Sequence, residues 1–231
     1  SFLVYQTDTG PRLYNFRTGQ AQSPSWASRD SGSGSINPTA LAIAYVEGQA
    51  PEYVVNIADL GSNKASSIGK LVSTESPRLI WAPDGSALAI VVWNNASCSI
   101  DILDFRDNQT SVALPLDYGA RNCVMEWSHD SQQLGIVTLS NTGDRTESDF
   151  WIANRNSGTL ARIPTESNPP ELTGSIVWAP DDTALVLAQP YMESPYYSVS
   201  TSVIVVAAES LVKTDAFVLD GLGRALRWVP K

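Results

Sequence analysis

Three stretches of this chain repeat one pattern: Ile80-Trp81-Ala82-Pro83-Asp84-Gly85-Ser86-Ala87-Leu88-Ala89-Ile90-Val91, Glu126-Trp127-Ser128-His129-Asp130-Ser131-Gln132-Gln133-Leu134-Gly135-Ile136-Val137 and Val177-Trp178-Ala179-Pro180-Asp181-Asp182-Thr183-Ala184-Leu185-Val186-Leu187-Ala188. Each reads as strand, tight turn, strand. Proline presets the first corner of the turn, Asp bonds the backbone ahead of it, and Gly or a small polar residue fills the remaining place. The flanking runs carry the β-branched and aromatic residues that suit strands. A fourth copy of the second strand is Ala40-Leu41-Ala42-Ile43-Ala44-Tyr45, and a fifth is Phe2-Leu3-Val4-Tyr5-Gln6.

The leucine of the second strand serves as a ruler at Leu3, Leu41, Leu88, Leu134 and Leu185, with spacings of 38, 47, 46 and 51 residues. A third strand follows in each unit, at Arg12–Phe16, Tyr53–Ala58, Ser99–Phe105, Asp149–Ala153 and Ser202–Ala207. A fourth is visible at Ser111–Leu116 and Ala216–Leu219. Four antiparallel strands per unit of about 40–50 residues is the blade of a β-propeller. No stretch has helical periodicity. Leu226-Arg227-Trp228-Val229-Pro230-Lys231 reads as a first strand without its second, and Phe2 opens a second strand without its first. Joined, they complete one blade and close the ring, leaving no free sheet edge at the seam.

The expected fold is therefore all-β: a single propeller domain over residues 1–231, of five four-stranded antiparallel blades, closed by an N-/C-terminal clasp. One blade is split between 225–231 and 1–24, and the others span about 25–76, 77–121, 122–173 and 174–224. Between Thr18 and Thr39 the pattern weakens. There Trp26 is placed in a first strand, and Ser31-Gly32-Ser33-Gly34-Ser35 reads as an enlarged turn.

At Trp81–Gly85, Trp178–Asp182 and, in part, Trp127–Ser131, the sequence resembles the WD-like propeller repeats of the TolB type, whose signature is Trp-Ser/Ala-Pro-Asp-Gly before an apolar strand. The resemblance spans nearly the whole chain in architecture. It implies an adaptor module of the bacterial cell envelope, or a gating domain attached to a serine peptidase of the prolyl-oligopeptidase type. The second option needs an α/β-hydrolase domain, for which this chain has no room. The signature residues build a turn and a core, so they specify a fold and not an activity.

Composition narrows the classes further. The chain has 231 residues, 15 basic against 24 acidic, and a net charge of −9 without a Lys/Arg cluster, which argues against a nucleic-acid surface. No apolar run approaches the roughly 20 residues that a membrane-spanning helix needs. There is no initiator Met and no signal pattern at Ser1, so the chain reads as a mature, processed or excised piece.

Catalytic constellations are missing. His129 is the single histidine and stands at the proline position of its turn, a structural place. No Gly-x-Ser-x-Gly elbow accompanies it, and one His with two distant Cys makes no zinc site. No cofactor is implied. Asp84, Asp130, Asp181 and Asp182 fall in the repeated turns, where an Asp ordinarily caps. Asp101 and Asp104 share a strand but face opposite sides. Asp144, Glu147 and Asp149 crowd the segment Ser140–Asp149, which reads as a solvated acidic loop because the regular calcium-loop spacing is absent. Cys98 and Cys123 lie near the same face. They pair if the strand separation allows a disulfide and stay apart if it does not. Asn95-Ala96-Ser97 and Asn108-Gln109-Thr110 match the glycosylation acceptor pattern.

The Pro-Asp-Gly turns all fall on one face. The other carries the long insertions Ser140–Asp149, Gln189–Thr201 and Asp117–Arg121. Long connections on a rigid scaffold are where binding resides. Tyr191, Met192, Tyr196 and Tyr197, stiffened by Pro190 and Pro195, have the composition of a protein-interface hot spot, or of a self-packed loop. Arg78, Arg121 and Arg224 precede first strands and gather at the channel mouth, to bind an anion or a partner's carboxylate or to pair with local Asp and Glu. The leading expectation is a non-catalytic protein-binding or scaffold module of an extracytoplasmic (periplasmic, secreted or envelope-associated) assembly. The alternative is a propeller that binds a small ligand or carbohydrate for a larger enzyme or complex.

Overall fold

The computed structural model describes residues 2–7, 10–25, 31–95, 97–106, 110–116, 120–142, 145–163, 175–193, 198–211 and 213–220. Among them every regular element is a β-strand, and the strands form five antiparallel sheets. Sheet I holds β1 (Phe2–Thr7), β2 (Gly10–Asn15) and β3 (Gln20–Gln22). Sheet II holds β4 (Ser31–Ile36), β5 (Ala42–Gln49), β6 (Glu52–Asp59) and β7 (Lys64–Val72). Sheet III holds β8 (Arg78–Trp81), β9 (Ala87–Asn94), β10 (Ser97–Asp104) and β11 (Thr110–Leu116). Sheet IV holds β12 (Ala120–Trp127), β13 (Gln133–Thr142), β14 (Arg145–Asn154) and β15 (Leu160–Ile163). Sheet V holds β16 (Ser175–Trp178), β17 (Ala184–Glu193), β18 (Ser198–Ala207) and β19 (Lys213–Asp220). In every sheet each strand pairs with its neighbour in sequence.

The core lies between sheets. β9 is buried from Ala87 to Trp93, because sheet III is covered on both sides. Its even-numbered residues Leu88, Ile90 and Val92 pack with Val55 and Tyr53 of sheet II, and its odd-numbered residues Ala89 and Val91 with Ile136 and Trp127 of sheet IV. The two-residue period of a strand sets that division. Sheet IV meets V through Phe150, Ile152, Ile176 and Leu187, and sheet I meets II through Leu13 and Ile43.

The tryptophan of the repeated motif has a role beyond filling space. Trp81 donates its indole N–H to the Ser35 carbonyl at 3.0 Å, Trp127 to that of Ile80 at 3.2 Å, and Trp178 to that of Glu126 at 3.0 Å. Each acceptor lies on the first strand of the preceding sheet, one residue before the Trp or its equivalent. A buried N–H that must find an acceptor thereby fixes the spacing of adjacent sheets. Gly135 permits the close approach: a Cβ there would sit 2.4 Å from Ile176 Cδ1.

Sheet II corrects the sequence reading. Ser31–Ser35, expected as an enlarged turn, belongs to the strand β4 (Ser31–Ile36), and the turn is the next segment, where Asn37 N–H bonds the Ala42 carbonyl as Ala82 bonds Ala87. Glycine suits β4 because of close packing: a Cβ on Gly34 would lie 3.3 Å from both the Ala44 carbonyl oxygen and Ile43 Cδ1. The ruler shifts with the turn. Ile36 pairs with Ile43 as Trp81 pairs with Leu88, so Ile43, 3% exposed, takes the place assigned to Leu41, which is 55% exposed. Trp26 lies outside the described residues, as does the proposed strand 225–231.

Candidate binding face

The short turns joining first and second strands define one edge of the sheets, and it is tied together by its own residues. Asp84, Asp130 and Asp181 each accept the backbone N–H two residues ahead, at 2.9, 2.9 and 3.2 Å. Asp182 acts differently, accepting the N–H of His129 at 2.8 Å and of Asp130 at 2.7 Å from the turn of sheet IV. A proline at position 129 would have no N–H to give. The His129 ring adds Nδ1 at 2.9 Å from the same carboxylate. His129 is thus part of a junction between sheets.

Arg155 forms the strongest such junction. Its side chain is fully buried, with Nε 2.7 Å from Asp104 Oδ2, Nη1 3.2 Å from Asp84 Oδ2 and Nη2 2.8 Å from Ser86 Oγ, all on sheet III. Arg106 completes the group, with Nη2 2.6 Å from Asp104 Oδ2. The Arg106 hydrogen bond and then that of Arg155 hold the Asp104 carboxyl well below the usual carboxylate range, against the opposing effect of burial. Burial pushes Asp84 up, but hydrogen bonds from Ser86 and the Arg155 charge outweigh it and leave it lowered. Every charge in this group is matched. That is the chemistry of a structural network, and among the described residues no group of three His, Cys, Asp or Glu is placed to hold a metal ion.

The opposite edge is built from the hairpins joining second and third strands. In sheets II and III these close at Gln49↔Glu52 and Asn94↔Ser97, six residues past Ile43 and Leu88. In sheets IV and V the strands run on to Thr142↔Arg145 and Glu193↔Ser198, eight residues past Leu134 and Leu185. The added two residues per strand extend these arms by about 7 Å. The segments expected as loops, Ser140–Asp149 and Gln189–Thr201, are therefore mostly paired strand. Pro190 lies within β17, opposite Thr201 of β18.

The predicted site residues fall as follows. Tyr191 and Met192 lie on β17, paired with Ser200 and Val199, while Tyr196 and Tyr197 lie outside the described residues. Arg78 opens β8, and its guanidinium carbon stands 5.6 Å from the centre of the Trp93 ring. Arg121 lies in β12 at a register shift between Ala120 and Asn122, and Arg224 is outside the described residues. Glu147 and Asp149 belong to β14, where the Asp149 carboxylate meets Arg162 of β15; Asp144 is not described. Cys98 of β10 and Cys123 of β12 form a disulfide, a covalent tie between sheets III and IV near the hairpin edge. Asp101 and Asp104 do face opposite sides of β10, and Asp104 meets Arg155 while burial raises Asp101. Sequence reasoning missed Arg155 altogether. Its signal is weak, since it sits in an ordinary turn after β14 and its partners come from 51 and 71 residues away.

These features place the chain in the class of β-propeller proteins, and comparison with solved structures agrees. TolB from Acinetobacter baumannii superposes over 95% of this chain and 51% of its own, with a TM-score of 0.56 and 14% identity. The β-propeller domain of the Trilobed protease from Pyrococcus furiosus covers 96% of this chain and 66% of its own, at 0.60 and 14%. The tricorn protease covers 89% of this chain and 20% of its own, at 0.65 and 10%. The chain thus spans about half the length of TolB and a fifth of tricorn. Identities this low speak for the fold alone. No protein-family model matches the sequence, and no curated protein matches it.

Proposed function

We propose that the chain is a propeller of five blades, one split between residues 225–231 and 1–24, that serves as a non-catalytic protein-binding module of an extracytoplasmic assembly. Its partner meets the hairpin edge. The observation that carries this reading is the pair of extended arms on adjacent sheets IV and V, set against an opposite edge whose Arg155 is matched by its own carboxylates. The disulfide supports an oxidising compartment, where such bonds persist. A short hairpin closes a sheet, whereas a longer arm adds strand surface that sheets II and III do not have. The solved neighbours include both proteases and TolB, and whole-protein activities of either kind are left out of the proposal.

The test is capture of proteins from the native source by the immobilised chain, compared with a Tyr191→Ala, Tyr196→Ala, Tyr197→Ala variant. The expected result is loss of specific capture with an unchanged melting curve. Equal capture by both forms overturns the assignment of the partner to these arms. Saturable binding of a sugar by the wild type, with no protein captured, overturns the protein-binding role.

A further inference from the structure

The face that β10 turns to sheet IV is fastened differently along its length. Cys98, Ile100, Ile102 and Asp104 alternate along it, and all four are buried. At the short-turn end Asp104 meets Arg155, which follows β14, and Ser131 Oγ of sheet IV accepts the Asp84 N–H. In the middle Ile100 and Ile102 share an apolar cluster with Leu134 and Ile136, and Trp127 donates to the Ile80 carbonyl. At the hairpin end, one residue inside the closing pair Asn94↔Ser97, Cys98 is bonded to Cys123 of β12. About 20 Å of strand separates the ionic tie from the covalent one.

The hairpin end also holds an unsatisfied group. Trp81, Trp127 and Trp178 donate their indole N–H groups to carbonyls of the preceding sheet, and Trp151 donates to Thr138 Oγ1 at 3.3 Å. Trp93 stands opposite Cys98 on β9, in the same buried cluster as both cysteines. It is 5% exposed, and its Nε1 has no hydrogen-bond partner. An orphaned buried donor raises the free energy of the closed junction, and water would satisfy it if the sheets parted there. Parting them at the other end would instead strip Asp104 of Arg155, a heavy penalty. The two cysteines of the chain therefore bond sheets III and IV at the end that gains more from opening.

We propose that Cys98–Cys123 is a redox latch: the bond holds the hairpin edge of sheets III and IV closed, and its reduction lets that edge part about a pivot at Arg155 while the sheets stay folded. A dithiol supplies the two electrons. Its thiolate attacks one cysteine sulfur, and the Sγ–Sγ bond breaks to leave a mixed disulfide. The second thiol of the reductant then displaces that cysteine, giving two protonated cysteine thiols and a cyclic, oxidised reductant. Both cysteines are buried, so the dithiol enters only when the edge opens locally. The thiols left behind are small apolar groups that the core tolerates. This inference rests on the partner-binding reading for its consequence: the oxidised chain holds the arm of sheet IV fixed beside sheet III and captures the partner, and the reduced chain releases it.

Hydrogen–deuterium exchange of the intact chain, oxidised and then reduced with dithiothreitol, reads the latch without any partner. Failure of the latch is thereby told apart from failure of the partner-binding reading. The expected result on reduction is exchange about tenfold faster in residues 92–95 and 120–125, with 81–87 and 127–133 changed by less than about twofold. A Cys98→Ala, Cys123→Ala variant, which has no bond to reduce, should show the reduced pattern without dithiothreitol. Capture of proteins from the native source should be weaker for the reduced chain and for this variant than for the oxidised chain. Exchange that rises equally at both edges, or at neither, overturns the latch. Equal capture by the oxidised and reduced chains overturns its control of the partner.

Discussion

At the short-turn edge sheet II is tied to III by Asn37, III to IV by Arg155, and IV to V by Asp182, whereas at the hairpin edge the arms of sheets IV and V run on past the closing points of II and III. Both edges belong to the same sheets. They differ in what the side chains do at the boundary. On one edge the turns of adjacent sheets grip one another through Asn37, Arg155 and Asp182. On the other, paired strand in sheets IV and V runs two residues per strand further than in II and III. Bonds between the turns of adjacent sheets fix the geometry of the short-turn edge, and the proposed recognition belongs to the other.

Arg155 offers the largest way to break that contrast. Arg155→Ala strips the partner from Asp104, a half-matched buried charge, and is expected to cost about 3–5 kcal/mol of stability. Urea unfolding measures it, and binding at the hairpin edge should persist in whatever fraction stays folded. The same group predicts a pH dependence. The folded Asp104 carboxyl titrates below its unfolded value, so its contribution is complete above about pH 4–5 and is lost as pH falls through the folded value. Asp104→Asn should start from lower stability and show a shallower acid decline than the wild type. A decline as steep as that of the wild type would mean that other carboxyls govern acid unfolding.

Next in size is a pair of substitutions that sharpens the boundary of sheet II. Ile43→Ala should cost about 3 kcal/mol, as a buried Ile deleted from the contact with Leu13. Leu41→Ala should change stability by less than about 0.5 kcal/mol, since Leu41 stands exposed in the turn. Equal effects would return the ruler position to Leu41.

That pair also shows how much of the molecule the sequence carries. Trp81, Trp127 and Trp178 sit in turns with strong local signatures, and from them the strand order, the meander and the third strands are all readable. Sheet II lost its Trp to Ile36 and its Asp to Thr39, so local chemistry no longer marked the turn, and a strand of Gly and Ser looked like a loop. Glycine there answers to packing against Ile43, a contact between strands that no short window records. The arms of sheets IV and V failed for a related reason. Pro190, Tyr191 and the acids around Glu147 have turn-like composition, while their pairing is set by the partner strand. The network of Arg155 was invisible because its partners are distant in sequence and become neighbours only when sheets III and IV meet. The unpaired indole of Trp93 is a property of three-dimensional arrangement, and composition cannot announce it.

Effects smaller than that of Ile43→Ala come from the left-handed corner of the turns, and they test whether the short-turn edge is held by side chains or only by shape. Gly85, Ser131 and Asp182 occupy equivalent places with φ of 70°, 64° and 57°. At two of them the side chain reaches back to the preceding turn: Ser131 Oγ accepts Asp84 N–H at 2.9 Å, and Asp182 accepts from His129 and Asp130. At Gly85 the direction reverses. Asn37 Nδ2 donates to the Gly85 carbonyl at 2.8 Å, and Thr39 Oγ1 and Asn37 Oδ1 stand 2.1 and 2.5 Å from where a Cβ would go. Asn37 Oδ1 has little room to retreat, because it also accepts from Thr39 N, Thr39 Oγ1 and Ala40 N. Gly85→Ala therefore combines a left-handed alanine with a clash and should cost about 2 kcal/mol. Asp182→Gly relaxes the backbone strain while losing its three contacts to His129 and Asp130, which lie at the surface, and should cost less than about 1 kcal/mol. In a Thr39→Ala background the penalty of Gly85→Ala should shrink toward the strain alone, and the double-mutant cycle reads the difference as a coupling. A cycle with no coupling would mean that the turn of sheet II does not grip that of sheet III through these side chains, and that this edge owes its order to the indole ladder and Arg155.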